Sequence, residues 1–382
     1  MKAVFLSFDF GEYCIRLASA VAQEAETCLL LPQDLAAAHL SKLNPAVHFV
    51  PFTKPRLRQP IQQLGLLATI LRQIRSFQPD VIHFQQGHLW FNALLPFLRR
   101  YPLVCTIHDP THHMGDLGAT NTPQLVYNFG FRCADQLILH NPQMKQIACD
   151  ELRLPASRIH VVPHVPLGES AVLSTYDKAA GATDEKVVLF FGRIWGYKGL
   201  DYLIRAEPLI TSRVPGVKIM IAGEGEDFAR YHQMMRNPDN FIVYNEFIAE
   251  ARVAELFQQA SVVALPYIEA TQSGVVPMAY SHSKPVVATT VGGLPAVIEH
   301  GQTGLLVPPR DEQALADALV QLLQNPALCR QMGANGQRKV ETEFSAGVIA
   351  QKTLAVYRAA IDQRHPVNDQ SKVTKAKVTT LT

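Results

Sequence analysis

Short apolar runs separated by segments of helical period recur along the chain. Strand runs are expected at residues 3–7, 28–31, 47–51, 81–84 (VIHF), 103–107 (LVCTI), 137–139 and 159–163, and those at 81–84 and 103–107 run apolar instead of alternating. That pattern marks strands covered on both faces of a parallel sheet. Between them, residues 15–25 and 64–77 carry the i, i+3, i+4 spacing of helices. The alternation then repeats. Strands are expected at 187–191 (VVLFF), 218–222, 261–265 and 285–288, and helices at 200–206, 250–259, 275–281, 312–323, 326–333 and 346–361. Strand and helix in regular succession predict an α/β fold with doubly wound parallel sheets, whose ligands lie outside the carboxyl ends of the strands.

The polar residues at those ends carry the candidate chemistry. After 187–191 come Gly192, Arg193, Ile194, Trp195, Gly196, Tyr197, Lys198 and Gly199. Arg193 offers a planar fork for two phosphate oxygens and Lys198 a point charge beside it, a pair suited to a diphosphate. After 261–265 comes a turn with Glu269, Thr271, Gln272, Ser273 and Gly274, opening the helix at 275–281. Backbone N–H groups at such a helix start favour anions and hydroxyl oxygens, and a carboxylate such as Glu269 accepts from vicinal sugar hydroxyls. The plainer reading of the same turn is a helix cap with an acid near the positive end of the dipole.

In the first half, Gly11 sits between the first strand and its helix, where a glycine allows close approach to a ligand. His83, His108 and Asp109 sit at strand ends, and His108-Asp-Pro-Thr-His-His113 is the richest cluster. Pro110 argues against a helix that would present His108 and His112 together, so no metal site is expected. Gly223-Glu-Gly-Glu-Asp227 lacks the third glycine of a dinucleotide fingerprint.

Length changes the picture, since 382 residues exceed one ordinary core and imply two domains. The expected division is a first domain at 1–168, a linker at 169–185, a second domain at 186–345, a helix at 346–365 and a disordered tail at 366–382. A net charge of +2 with no basic stripe argues against a nucleic-acid partner. Six scattered cysteines without a C-x-x-C read as reduced core residues, and with no leader or membrane-spanning run the protein is expected in the cytoplasm. Residues 91–100 (FNALLPFLRR), with Lys54, Arg56 and Arg58, could dock on anionic lipid at the inner membrane face, although a core helix with a solvated end explains the same pattern.

Four segments together, FFGRIWGYKGLDYLIRA, IMIAGEGED, LPYIEATQSG and KPVVATTVGGLPAVIEHGQTGLLVPPRDEQALADAL, occur in an order that resembles the retaining glycosyltransferases of family 4, glycosyl transferases group 1. The resemblance implies a GT-B fold, in which two Rossmann-like domains face each other across a cleft. It also implies a nucleotide diphosphate sugar donor, UDP- or GDP-linked, a glycan or lipid-linked acceptor, and catalysis without a metal or other cofactor. By the same resemblance Arg193 and Lys198 hold the donor diphosphate, Glu269 the donor sugar, and His108 lies beside the transferred sugar. The helix at 346–361 crosses back to the first domain. Gly11, Gly192, Thr271, Gln272, Ser273 and Gly274 complete the expected donor site. One departure stands out: the second acid of the family's E-x7-E motif, a ribose ligand, falls on Pro277. Alternatives on the same fold are an idle subunit of a glycan assembly complex and a related phosphorylase or epimerase.

Overall fold

The computed structural model describes residues 1–110, 123–165 and 186–364. The expected linker and tail, together with His112 and His113, lie outside the described residues. Thirteen strands among the described residues form two sheets, every pairing in them parallel. The first sheet contains β1 (Lys2–Leu6), β2 (Glu26–Pro32), β3 (His48–Phe52), β4 (Val81–Gln85), β5 (Leu103–Thr106), β6 (Gln136–Leu139) and β7 (Ile159–Val161), in the order β3-β2-β1-β4-β5-β6-β7. The second contains β8 (Val187–Phe191), β9 (Lys218–Ala222), β10 (Phe241–Tyr244), β11 (Val262–Leu265), β12 (Val286–Thr289) and β13 (Gly304–Val307), in the order β10-β9-β8-β11-β12-β13.

Each sheet is apolar on both faces because helices cover both. Val4, Leu6, Ile82 and Cys105 enter one cluster of the first domain, while Ala3, Phe5, Val81 and Val104 enter the other. In the second domain Val188 and Phe190 face one layer, and Val187 and Leu189 the opposite one. The central strands therefore read as continuous apolar runs, as doubly wound sheets require. The helix Ala346–Arg364 returns to the first sheet, where Ile349, Leu354 and Tyr357 pack with Phe5 and Ile138. Tyr357 Oη lies 2.7 Å from His83 Nδ1, and Arg364 pairs with Asp135 at 2.8 Å. His83 is thus fully buried and serves the core, tying β4 to this helix.

In both sheets the strand order reverses beside the first strand, between β1 and β4 and between β8 and β11. These are the switch points at which loops after adjacent strands diverge and leave a crevice. The expected helix at 91–100 is replaced by two short ones, Leu89–Asn92 and Leu95–Leu98, the second with Pro96 in its first turn. Phe91, Leu95 and Leu98 are buried, so most of this segment is core, though Phe97 stays 71% exposed.

Candidate active site

Arg193 and Lys198 leave the carboxyl end of β8 in a loop that is sculpted by glycine. Gly199 takes a left-handed φ of 66°, and a Cβ there would lie 2.0 Å from the Pro266 carbonyl oxygen, so the β8 and β11 loops touch backbone to backbone. That contact places Lys198 with its Nζ 3.7 Å from the centre of the Tyr267 ring, a cation–π arrangement that orients the ammonium without neutralising it. Gly223 and Gly225 press in the same way on the carbonyls of Gly192 and Ile194, so the glycines of this pattern support the Arg193 loop instead of binding a dinucleotide.

The β11 loop forms the facing wall. Ser273 Oγ accepts from the Val275 N–H at 3.3 Å and lies 3.2 Å from Tyr267 Oη, fixing the turn that starts the helix Val275–Ser281. Gly192, Arg193, Lys198, Thr271, Gln272, Ser273 and Gly274 all line one cleft of about 370 Å³. Glu269 is half-buried, with its backbone N–H 3.4 Å from the Tyr197 carbonyl, and its neighbour Ala270 forms the lining. Pro277 is buried inside the short helix, while Val275 and Met278 present an apolar surface to the cleft.

The opposite wall comes from the first domain. Asp109, after β5, and His164, after β7, line the same cleft. Gln86 Oε1 accepts from the backbone N–H groups of both His108 and Asp109, at 3.0 and 2.9 Å, and so fixes this corner. Thr271 Oγ1 donates to Asp109 Oδ1 at 2.7 Å, and Asn141 Nδ2 donates to the Thr271 carbonyl at 2.8 Å, so the two domains meet at Thr271.

His108 itself is buried against its neighbours. Phe10 stacks on its ring at 3.7 Å, held in a left-handed conformation (φ 59°), and Nε2 bonds Gln85 Oε1 at 2.9 Å. Burial, reinforced by the adjacent imidazoles, holds His108 well below the ordinary histidine pKa. Burial likewise lowers His140 to about 3 and His164 to about 4. All three are neutral near pH 7. Gly11 lies outside the cleft lining, and a Cβ there would come 2.4 Å from the Leu35 carbonyl oxygen, so packing of the first helix accounts for this glycine.

Asn141, His140 and His164 did not emerge from sequence reasoning as site residues. Each follows the carboxyl end of β6 or β7, which is the signal that could have found them.

Two family descriptions match the chain. Residues 11–165 match Glycosyltransferase Family 4, and residues 185–325 match Glycosyl transferases group 1. The D-inositol 3-phosphate glycosyltransferase of Mycobacterium avium is 30% identical over 337 residues, covering 79% of this chain and 75% of that relative. The chain belongs to the family 4, group 1 glycosyltransferases. Among solved structures, sucrose-phosphate synthase from Thermosynechococcus elongatus superposes with a TM-score of 0.72 at 18% identity, covering 95% of this chain and 100% of the other. Anabaena HepE in complex with UDP superposes with a TM-score of 0.73 at 20% identity, covering 94% and 100%. The fold of this glycosyltransferase is GT-B. No helix among the described residues is long and apolar enough to cross a membrane.

Proposed function

We propose that this glycosyltransferase moves a sugar from a nucleotide diphosphate sugar to an acceptor hydroxyl with retention of configuration, in the assembly of a polysaccharide or glycoconjugate. The observation that carries the reading is the convergence of Arg193 and Lys198 on the Thr271–Gly274 turn, with Asp109 and His164 of the other domain opposite. The two cations take the diphosphate, and their charge stabilises it as it leaves. Protein cations do this without a metal bridging the phosphates. Glu269 accepts from the donor sugar's hydroxyls, and the His108 corner supports the anomeric centre.

The bond between the anomeric carbon and the phosphate oxygen breaks while a bond to the acceptor oxygen forms on the same face. The acceptor proton passes to the departing phosphate oxygen. With Pro277 where the second acid would stand, Val275 and Met278 give the nucleoside an apolar contact instead of a carboxylate. UDP is the nucleotide favoured, because the HepE neighbour of the same fold holds it. The exposed Ile61, Leu64, Phe97 and Leu125 on the first domain favour a lipid-linked glycan acceptor reached from a membrane surface.

The test is a thermal-shift and calorimetric screen against UDP, GDP, ADP and their sugars, on the wild type and on Arg193→Ala, Lys198→Ala. One nucleotide is expected to stabilise the wild type. Loss of charge-assisted bonds worth about 1.5–3 kcal/mol each weakens binding roughly tenfold or more per residue. Donor turnover with an acceptor, and an NMR assignment of the product anomer, then test transfer and retention. A folded protein that responds to no nucleotide would favour an idle subunit, and an inverted product would refute the retaining mechanism.

A further inference from the structure

Phe10 stands beside the cleft in a conformation that its side chain does not favour. Its backbone is left-handed, at φ 59° and ψ 45°, a turn that glycine enters freely and a bulky residue enters only where the surroundings impose it. Two contacts impose it here. The Phe10 carbonyl accepts from the Cys14 N–H at 3.0 Å, the first bond of the helix Gly11–Val21, and the ring lies against His108 with centres 3.7 Å apart and planes 14° from parallel. The residue is nevertheless 38% exposed. With His108 covering one face, that exposure falls on the other face and the edge of the ring. Backbone strain of this kind clusters at ligand clamps.

The residues beside it are polar and braced. The Asp9 N–H donates to Ser7 Oγ at 3.1 Å, and Lys54 Nζ donates to Asp9 Oδ1 at 3.0 Å and to the Phe8 carbonyl at 2.9 Å. Asp9 Oδ2 accepts no bond among the described residues, and the Asp9 side chain is 59% exposed. An apolar plane next to a carboxylate oxygen and an ammonium suits one ligand chemistry. A pyranose ring turns weakly positive axial C–H bonds outward on its face and carries hydroxyls around its rim. The face of an aromatic ring is negative, a carboxylate accepts from hydroxyls, and an ammonium donates to them.

Phe10 does not line the donor cleft, but Asp109 does, and Asp109 is the neighbour of the His108 that Phe10 covers. The exposed ring therefore adjoins the donor cavity from the first domain, while Arg193 and Lys198 hold the diphosphate from the second. That is the side from which the second substrate approaches. We propose that the acceptor is a pyranoside whose sugar ring stacks on Phe10, with its hydroxyls at Asp9 and Lys54. This subsite presupposes the glycosyl transfer proposed above and adds the class of acceptor. Phe10 selects a flat ring over an acyclic polyol and holds it beside the donor.

The full-length protein, with and without UDP, is titrated with the methyl α- and β-pyranosides of glucose, galactose and mannose, followed by saturation-transfer NMR. Sorbitol is the acyclic control. At least one pyranoside is expected to bind more tightly than sorbitol and to take up saturation at the axial C–H protons of one ring face. Phe10→Gly keeps the left-handed turn and should weaken that pyranoside about tenfold with UDP affinity unchanged, while Phe10→Tyr should retain it. Pyranosides no tighter than sorbitol would overturn the proposal, and so would unchanged affinity in folded Phe10→Gly. A pyranoside lost in Glu269→Gln and kept in Phe10→Gly occupies the donor sugar's place, which overturns the proposal equally. Should Phe10→Gly fail to fold, Phe10→Leu fills the space without an aromatic face, and wild-type affinity in that variant would refute stacking. UDP bound while no pyranoside binds counts against the acceptor subsite alone. Pyranosides bound in a protein that ignores every nucleotide count against the donor reading alone.

Discussion

Asn141 holds two jobs that one substitution can separate. Its Oδ1 accepts from the Met144 N–H at 2.8 Å, capping the helix Pro142–Asp150, and its Nδ2 reaches across the cleft to the Thr271 carbonyl at 2.8 Å. The side chain is only 3% exposed, and a Cβ on Gly293 would come within 2.4 Å of its Nδ2, so no water can take over the bridge. Asn141→Asp keeps the cap, with a charge that suits the helix start. It also turns the donor into an acceptor facing a carbonyl. Losing the bond and leaving acceptors opposed costs about 1–3 kcal/mol, which shifts the closed-to-open ratio of the domains by roughly 5- to 150-fold. Asn141→Ala loses the bridge and the cap together, so it should lose about 1 kcal/mol more in stability, lowering the unfolding midpoint by about 2–4 °C. Spin labels on the two domains, read by pulsed EPR, measure the opening, and thermal unfolding measures the cap. The reasoning is refuted if Asn141→Asp keeps the wild-type distance distribution, or if the two variants unfold alike.

Gly199→Ala places a Cβ 2.0 Å from the Pro266 carbonyl at a left-handed φ, so it should cost at least about 2 kcal/mol and displace Lys198. An alanine variant whose unfolding midpoint and diphosphate affinity match the wild type would contradict this account of the loop. His88 is buried, stacks on Phe8 at 4.1 Å, and has no hydrogen-bond partner for either ring nitrogen among the described residues. Burial, helped by Lys54, lowers its pKa to about 4. A lowered folded pKa means that the unfolded chain binds the proton first. The stability contribution is therefore intact above about pH 6.5 and is lost as the pH falls towards 4, reaching about 2 kcal/mol by pH 5. His88→Phe should match the stack and flatten this acid loss. Denaturant midpoints at pH 7 and 5 that fall equally in wild type and variant would sink the assignment.

The parallel sheets were legible because strands covered on both faces have nowhere to put polar side chains, so Val187–Phe191 and Leu103–Thr106 read as unbroken apolar runs. β10 was not among the expected strands although Phe241–Tyr244 is also an apolar run; it is an edge strand, and its residues are only partly covered. The Arg193, Lys198 and 271–274 elements were visible because loop and ligand chemistry lie close together in sequence there. Of the first-domain wall only His108 and Asp109 stood out, because the wall is assembled from the ends of several strands. Asp109, Asn141 and His164 sit far apart in the chain and become neighbours of Thr271 and one another only through the order β4-β5-β6-β7 and the seating of one sheet opposite the other. Pattern in one strand carries no record of which strand lies beside it. A lone histidine after a strand is equally a core residue, as His83 is, or part of a cluster, as His140 is. What separates the two cases is the partner of each ring nitrogen. His83 is bonded on both, to Tyr357 and Thr106, whereas His140 has a carbonyl on one side and another imidazole on the other. That difference arises from a helix contributed by the chain's last described residues and from strand order, and no local stretch of sequence encodes either.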